Sequence, residues 1–397
     1  MFGDSPSLAL PRSAALRLEK RWQWSLRRSV KLSRYCCYFP VSAGCGNMLV
    51  GPSKSCVYYN NLQRLIVFTE KGLYCPAGDF YVDPWRPVEH AVVTHAHSDH
   101  AYPHMKQYYA TPISAAVMRV RLGTDIAVTE RAYGETFYIN GVQVSLHPAG
   151  HVVGSAQVRI QVGNRVWVAT GDYKLENDGL CEPYEQLQAE GFITEATFGL
   201  PIYRWKPQIE VQQDIVSWWK RNQAAGKISL LYGYSFGKAQ RLLSMLNSFG
   251  PIYGHGAVVT ITRALREAGV DLPPLERPPL SKDPADIAPG ALILAPPSAG
   301  NTSWVQRFGD YNEAFVSGWM SIRSTHSSRN IGQGFTLSDH ADWPALLQAI
   351  SASGATFVQP FCGSQHQLSR YLREELHIDA PDAPARYEAA VSAEDEL

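Results

Sequence analysis

The sequence predicts an α/β protein: a strand-rich sandwich whose chain is interrupted by a parallel-sheet unit at roughly residues 205 to 335. Three observations carry that class. From Leu65 onward short apolar runs alternate with turn residues, after residue 205 helical and strand-like runs alternate, and near the C-terminus a strand is again flanked by helices. A hydrophobic fraction of 45%, with 20 tyrosines and 10 tryptophans, places the chain among packed globular proteins rather than disordered ones.

Each element has its own signal. The runs "RLIVFT", "GDFYVD", "EHAVVTH", "QYYAT", "ETFYING", "VQVSLHPAG", "AQVRIQVGN" and "RVWVATGD" read as strands, with "ING" and "VGN" as hairpin turns. One helix interrupts them at "PISAAVMRVRLG". Beyond residue 205, "IEVQQDIVSWWKRNQAAG" has helical periodicity and stops at a glycine. The strand "KISLLYGYS", the helix "GKAQRLLSMLNSFG", the strand "PIYGH" and the helix "VVTITRALREAG" continue a βαβα rhythm. A proline-rich connection leads to the strands "ALILAPP" and "EAFVSGWM". The chain then runs through "GQGFTLSDHADW", the helix "PALLQAISASG", the strand "TFVQPF" and the helix "HQLSRYLREEL".

Charge and cysteine content narrow the function classes. The chain holds 36 basic and 36 acidic residues, but residues 1–47 take eight Lys/Arg against two Asp/Glu, leaving 28 and 34. A net-acidic body excludes coating a polyanion by bulk charge; a polyanion would need a local groove or metal ions. Seven cysteines form no CxxC pair and suit a reducing, cytoplasmic compartment. No apolar run is long enough to span a bilayer, so no membrane partner is expected. Residues 1–47, rich in Arg and Ser, resemble a transit peptide in composition. They are expected to be a disordered extension or to precede a start near Met48.

The chemistry concentrates in "EHAVVTHAHSDHAYPH". Three of twelve histidines, His95, His97 and His100, fall within six positions around Asp99, just after an apolar strand. On an extended segment His95 and His97 face one side and can grip one ion, while Asp99 and His100 turn toward a neighbouring site. Mixed imidazole and carboxylate donors suit Zn²⁺ above all, with Mn²⁺ or Fe²⁺ as alternatives. Further ligands are offered at strand-to-loop junctions by His151 in "HPAGHVVGSAQ", Asp172 in "VATGDYK" and His340 in "TLSDHADW".

"HAHSDH" matches the HxHxDH motif of the metallo-β-lactamase superfamily, which the sequence resembles further in "AGHVVGSA" and "TGDY". The resemblance implies an αββα sandwich in which His151 and Asp172 complete the metal set and Asp83, in "FYVDPW", orients a ligand histidine. The intervening segment is similar to the β-CASP branch of nucleases: "ITEATFG" supplies its acid, Glu195, and "LSDHADW" returns His340 to the metal site. "LYGYSFGKAQRLL" resembles the branch's phosphate-contacting turn, where Ser235 and Lys238 open a helix suited to an anion. Residues 62 to 376, with "KGLYCPAGDFYVDPW" and "YGHGAV", look most like the bacterial ligase-associated DNA exonucleases.

That resemblance implies a division into residues 48–204 and 336–397 as the metallo-β-lactamase sandwich and 205–335 as an inserted α/β β-CASP domain. It also implies DNA as substrate, single-stranded or at duplex ends, with an ATP-dependent DNA ligase as functional partner. His95, His97, His151 and Asp172 would hold one ion, and Asp99, His100, Asp172 and His340 a second. Asp99, Glu195 and His340 would manage protons. Trp85, Phe198, Phe236 and Trp319 are candidates for base stacking. The branch's third motif falls in "FVQPFCGSQHQ", where Cys362 replaces the histidine of RNA-processing members and the valine usual in DNA-processing ones. His366 is expected at the surface, and His255 as a cap or a substrate contact. His90, His104, His147, His326 and His377 belong to no constellation. An RNA-processing ribonuclease, a thioesterase or lactamase-like hydrolase, and a scaffold with a dead metal site are the alternatives.

Overall fold

The computed structural model describes residues 64–279, 286–322 and 333–384. The extension at 1–47, and His326, lie outside them. Among the described residues the strands form three sheets, two of six strands and one of five.

The first sheet contains β1 (Val67–Phe68), β2 (Leu73–Cys75), β3 (Phe80–Val82), β4 (His90–Val92), β5 (Gln107–Ala110) and β6 (Val128–Glu130), hydrogen-bonded in sequence order. Its β3–β4–β5–β6 pairs are parallel. The crossover from β5 to β6 is α1 (Pro112–Leu122). It starts where the Thr111 hydroxyl accepts from the Ser114 amide with Pro112 in the first turn, and stops at Gly123. The second sheet runs β17-β11-β10-β9-β8-β7 and comprises β7 (Thr136–Ile139), β8 (Val142–Pro148), β9 (Ala156–Val162), β10 (Arg165–Ala169), β11 (Gly191–Glu195) and β17 (Phe357–Phe361). Its first hairpin closes through Asn140 (φ 48°) and Gly141 (φ 84°), both left-handed as a tight two-residue turn demands.

Alternation along these strands decides the packing. Phe80, Val82 and Val92 of the first sheet and Val144, Leu146, Val158 and Ile160 of the second share one core between the sheets. Val117 and Met118 of α1, with Ile261 and Leu265 of α4 (Gly256–Glu267), cover the first sheet's outer face. On the second sheet's outer face lie Leu346 and Ile350 of α6 (Trp343–Ala352) and Leu368 and Leu372 of α7 (Gln365–Glu375). The layers are therefore helix, sheet, sheet, helix.

The third sheet, β13-β14-β12-β15-β16, is parallel throughout its pairs. It comprises β12 (Ile228–Tyr232), β13 (Ile252–Gly254), β14 (Leu292–Ala295), β15 (Tyr311–Val316) and β16 (Gly334–Phe335). Every residue of β12 and β14 is buried, as in a sheet covered on both faces. On one face α2 (Gln208–Ala224) and α3 (Lys238–Leu246) pack through Val211, Ile215, Leu242 and Leu246. On the other, Phe308 and Val305 of the short α5 segment (Ser303–Gln306) pack on Leu230 and Ile293.

Strands β2, β6 and β16 had no separate sequence signal. Each spans two or three residues, and none sits in a longer apolar run of the kind that marks the equally short β3 and β4. No described helix is long and apolar enough to cross a membrane.

Candidate metal centre

The loops that follow β4, β10, β11, β16 and β17, with the β8–β9 loop, converge on one cleft. Contrary to the extended reading, His95–His100 is not a strand continuation. The His97 carbonyl accepts from the amides of His100 (3.2 Å) and Ala101 (2.9 Å), so the segment turns back on itself. The turn brings unlike ring atoms together: His95 Nε2 lies 2.9 Å from His97 Nδ1, which lies 3.1 Å from His151 Nε2. Asp172 Oδ2 stands 3.7 Å from His95 Nε2 and 3.9 Å from His151 Nε2.

The outward nitrogens explain which way each ring faces. His97 Nε2 donates to the Phe236 carbonyl at 3.2 Å, and His151 Nδ1 donates to the Asp339 carbonyl at 2.8 Å. His95 Nδ1 meets the Thr94 hydroxyl at 3.1 Å. With the outward N–H groups donating to carbonyls, the inward nitrogens of His97 and His151 present lone pairs to each other. Three such imidazoles and a carboxylate, all buried, with ligand atoms within 4.8 Å of one another, fit a divalent cation. Burial and the neighbouring histidines push the His95 ring well below its usual pKa, the neutral form a ligand needs.

A second donor group adjoins the first. Asp172, Glu195 and His340 also offer atoms within 4.8 Å of one another. His100 Nε2 lies 3.3 Å from Asp172 Oδ2 and 3.6 Å from Asp99 Oδ2. Burial opposes charge on His100, but Asp172, Asp99 and Asp83 overcome it and raise its pKa well above the ordinary value. The Asp83 carboxylate accepts from the Thr94 amide (2.8 Å), the Thr94 hydroxyl (2.6 Å) and His100 Nδ1 (2.7 Å). Gly171 (φ 56°) makes the junction possible: a Cβ there would sit 2.7 Å from Thr94 Oγ1.

Several sequence expectations change. Glu195 is fully buried; its Oε1 accepts from the Tyr173 amide (2.7 Å) and Oε2 from His340 Nδ1 (2.9 Å). Burial lifts its carboxyl above the ordinary range. Both its oxygens are thus engaged, and one of them fixes the His340 ring.

Lys238 does not present its charge to an anion. Its ammonium is buried, 2.9 Å from Asp339 Oδ2 and 2.8 Å from the Leu337 carbonyl. Burial pulls its pKa down to about 8, while Lys238 and Arg241 drive Asp339 far below the carboxylate range. The short contact keeps both ionised at neutral pH. The Gly237 amide is likewise engaged, by Gln240 Oε1 at 2.8 Å. Ser235, half-buried, lines a separate cavity beside the cleft.

The aromatics divide. Trp85 packs against the inter-sheet core and donates Nε1 to the Glu70 carbonyl, away from the cleft. Phe198 is buried among Tyr203, Trp205 and Trp319, and Phe236 is buried edge-on to His97. Trp319 is half-buried and lines the cleft. Cys362 (φ 61°) lines it too; burial and the carboxylates of Asp172 and Asp99 push its thiol pKa well up. His255 caps α4 by accepting from the Ala257 amide, and His366 is exposed, pairing with Asp382.

Sequence reasoning missed the charged network behind the cleft. Arg241, 2% exposed, donates to Asp339 Oδ1 (2.9 Å) and the Ser338 carbonyl (2.6 Å), and lies 3.2 Å from Glu176 and 3.7 Å from Asp178. Lys174 pairs with Asp178 at 2.5 Å. The only hint was a basic residue on the apolar face of "KAQRLL". Because the Asp339 carbonyl takes His151 Nδ1, this network braces a candidate ligand.

No family profile matches the chain. A protein named probable DNA ligase from Opitutus terrae is 32% identical over 306 residues, covering 76% of this chain and 30% of that protein. Endoribonuclease YSH1 of Yarrowia lipolytica is 30% identical over 119 residues, covering 30% of this chain and 14% of its own. Transcription termination factor FttA of Pyrococcus abyssi is 25% identical over 214 residues, covering 45% and 33%. The architecture is mixed α/β with several sheets. The fold is also similar to that of a protein of unknown function from Enterococcus faecalis, with TM-score 0.50 and 12% identity over 75% of this chain and 80% of that one. The chain spans only 14% to 33% of the lengths of the three named relatives above.

Proposed function

We propose that this chain is a metal-dependent phosphodiester hydrolase acting on nucleic acid, specifically a zinc-dependent DNA exonuclease working alongside an ATP-dependent DNA ligase. In this reading the described residues within 48–204 and 336–397 belong to the metallo-β-lactamase sandwich and those within 205–335 to the β-CASP insertion. One observation carries the reading: inward imidazole nitrogens 2.9 and 3.1 Å apart, beside a carboxylate, with the outward nitrogens of His97 and His151 held on carbonyls and that of His95 on the Thr94 hydroxyl.

His95, His97, His151 and Asp172 would hold one cation; Asp99, His100, Asp172 and His340 would serve a second. Three imidazoles and one carboxylate favour Zn²⁺, with Mn²⁺ as the alternative. When bound, the cation supplies Lewis acidity and makes a nearby water a nucleophile at neutral pH. Asp99 accepts the proton that water loses on attacking phosphorus. His340, its ring fixed through Nδ1 by Glu195, would present Nε2 to the second cation, and the leaving oxygen would take back the proton held by Asp99. The cleft offers about 50 Å³, room for ions and a few waters and little else.

A thiol at Cys362 cannot stand in for an imidazole acid, which supports DNA over RNA, as does the ligase-named relative. The relative named endoribonuclease supports the RNA alternative. End-labelled single-stranded and duplex DNA, with RNA in parallel, tests the choice. Stepwise shortening of DNA, abolished by chelator and restored by Zn²⁺ or Mn²⁺, is expected. Cleavage of RNA alone would refute the substrate, and undiminished cleavage by metal-stripped protein would refute the mechanism.

A further inference from the structure

A nucleotide needs far more room than the 50 Å³ cleft provides. Beside it, sharing His97 and Tyr234, lies a cavity of about 610 Å³. That volume falls within the range of about 300–1,000 Å³ typical of ligand sites. Its walls are the 96–98 turn, the end of α1, the β12–α3 loop, the first turns of α4 and the 296–298 segment.

The lining is chemically one-sided. It includes two guanidinium groups, Arg121 and Arg277, and no aspartate or glutamate. Arg121 Nη1 donates to the Ala96 carbonyl at 2.6 Å, which fixes its fork two residues from Asp99's neighbour Ser98. The Arg277 guanidinium lies against Gly256 at the start of α4, where a Cβ would stand 3.3 Å from Cζ. The lining also includes the hydroxyls of Ser98, Ser235 and Thr260 and the apolar side chains of Phe236 and Ile261. Cations that bind phosphate, hydroxyls and apolar side chains that accept a base are the parts of a nucleotide site.

We infer that this cavity holds the nucleotides adjoining the scissile phosphate on the His97 side, as a single strand, with Arg121 and Arg277 on the phosphates. The inference rests on the nuclease reading and deepens it. The volume admits roughly one or two nucleotides and not a duplex. The phosphate-binding role expected of Lys238, whose charge is taken by Asp339, falls to these arginines.

The test uses the full chain stripped of metal and a fluorescein-labelled 12-nucleotide strand, as DNA and as RNA, followed by anisotropy across a salt series. Arg277→Glu is expected to weaken binding tenfold or more, and Arg277→Gln to reduce the salt slope by about 0.7. Thr260→Trp, which fills the cavity without changing charge, is expected to weaken binding and leave the slope alone. Unchanged zinc content of each variant reports that His97 stays in place. Loss with both strands supports phosphate recognition, and loss with one alone identifies the strand the cavity takes. Wild-type affinity in Arg277→Glu and Thr260→Trp overturns the cavity while leaving the nuclease reading intact. A wild-type chain that binds neither strand, and cuts neither when metal is restored, overturns that reading itself.

Discussion

Asp83→Asn isolates how the fold sets a ligand. Asp83 sits at φ 44°, a conformation asparagine tolerates, so the exchange adds little backbone strain. Oδ1 would keep the Thr94 amide, now at 2.8 Å. The new amide nitrogen would replace Oδ2, which accepts from both the Thr94 hydroxyl (2.6 Å) and His100 Nδ1 (2.7 Å). Thr94 can rotate its hydroxyl; His100 cannot donate to an N–H group. In the neutral ring that a cation requires, the proton would then sit on Nε2, the nitrogen 3.3 Å from Asp172 and 3.6 Å from Asp99, and a protonated Nε2 cannot ligate. A charge-assisted hydrogen bond is worth about 1.5–3 kcal/mol. Loss of a carboxylate behind a ligand histidine typically weakens metal binding about 10–100-fold, roughly 1.4–2.8 kcal/mol. The two ranges agree, so zinc affinity should fall by that factor. Competition against a coloured chelator at pH 8 measures it, with circular dichroism to verify the fold. Affinity within threefold of wild type would refute the account of His100.

Two further predictions concern the network behind the cleft. Arg241→Ala leaves Asp339 and Asp178 buried without their guanidinium and should destabilise the chain by about 3–5 kcal/mol in urea denaturation; a loss below 1 kcal/mol would place the stabilisation elsewhere. For acid stability, burial opposes the Asp339 charge, but Lys238 and Arg241 outweigh it and depress the carboxyl, so the unfolded state binds protons first. Its stabilisation is complete above the unfolded value of about 4 and is lost as pH falls below that. In metal-free protein Asp339→Asn should therefore lower stability at pH 6 and flatten its fall between pH 4 and 2; denaturation curves that stay parallel to wild type would contradict this.

Much of the site could be read from short-range spacing. His95, His97, Asp99 and His100 lie within one turn-forming segment, and His151, Asp172 and His340 each follow a strand. Helices α2, α3 and α4 were legible because their apolar faces repeat with the helical period, whereas the four-residue α5 was not; β6, three half-buried or exposed residues at a sheet edge, has no pattern to show. Lys238 was misread for a related reason. A lysine after a glycine at a helix start looks like an anion seat, and nothing local announces a carboxylate at Asp339 waiting for it.

By itself the sequence determined which donor types are present and that they follow strands in an α/β chain. Only the tertiary structure decided which nitrogen of each ring faces the centre. Phe236 supplies its carbonyl to His97 from 139 residues away, and Asp339 to His151 from 188. Hydrogen bonds are directional and short, so a ring's lone pair points where its opposite N–H finds an acceptor, and that acceptor exists only once distant loops have packed together.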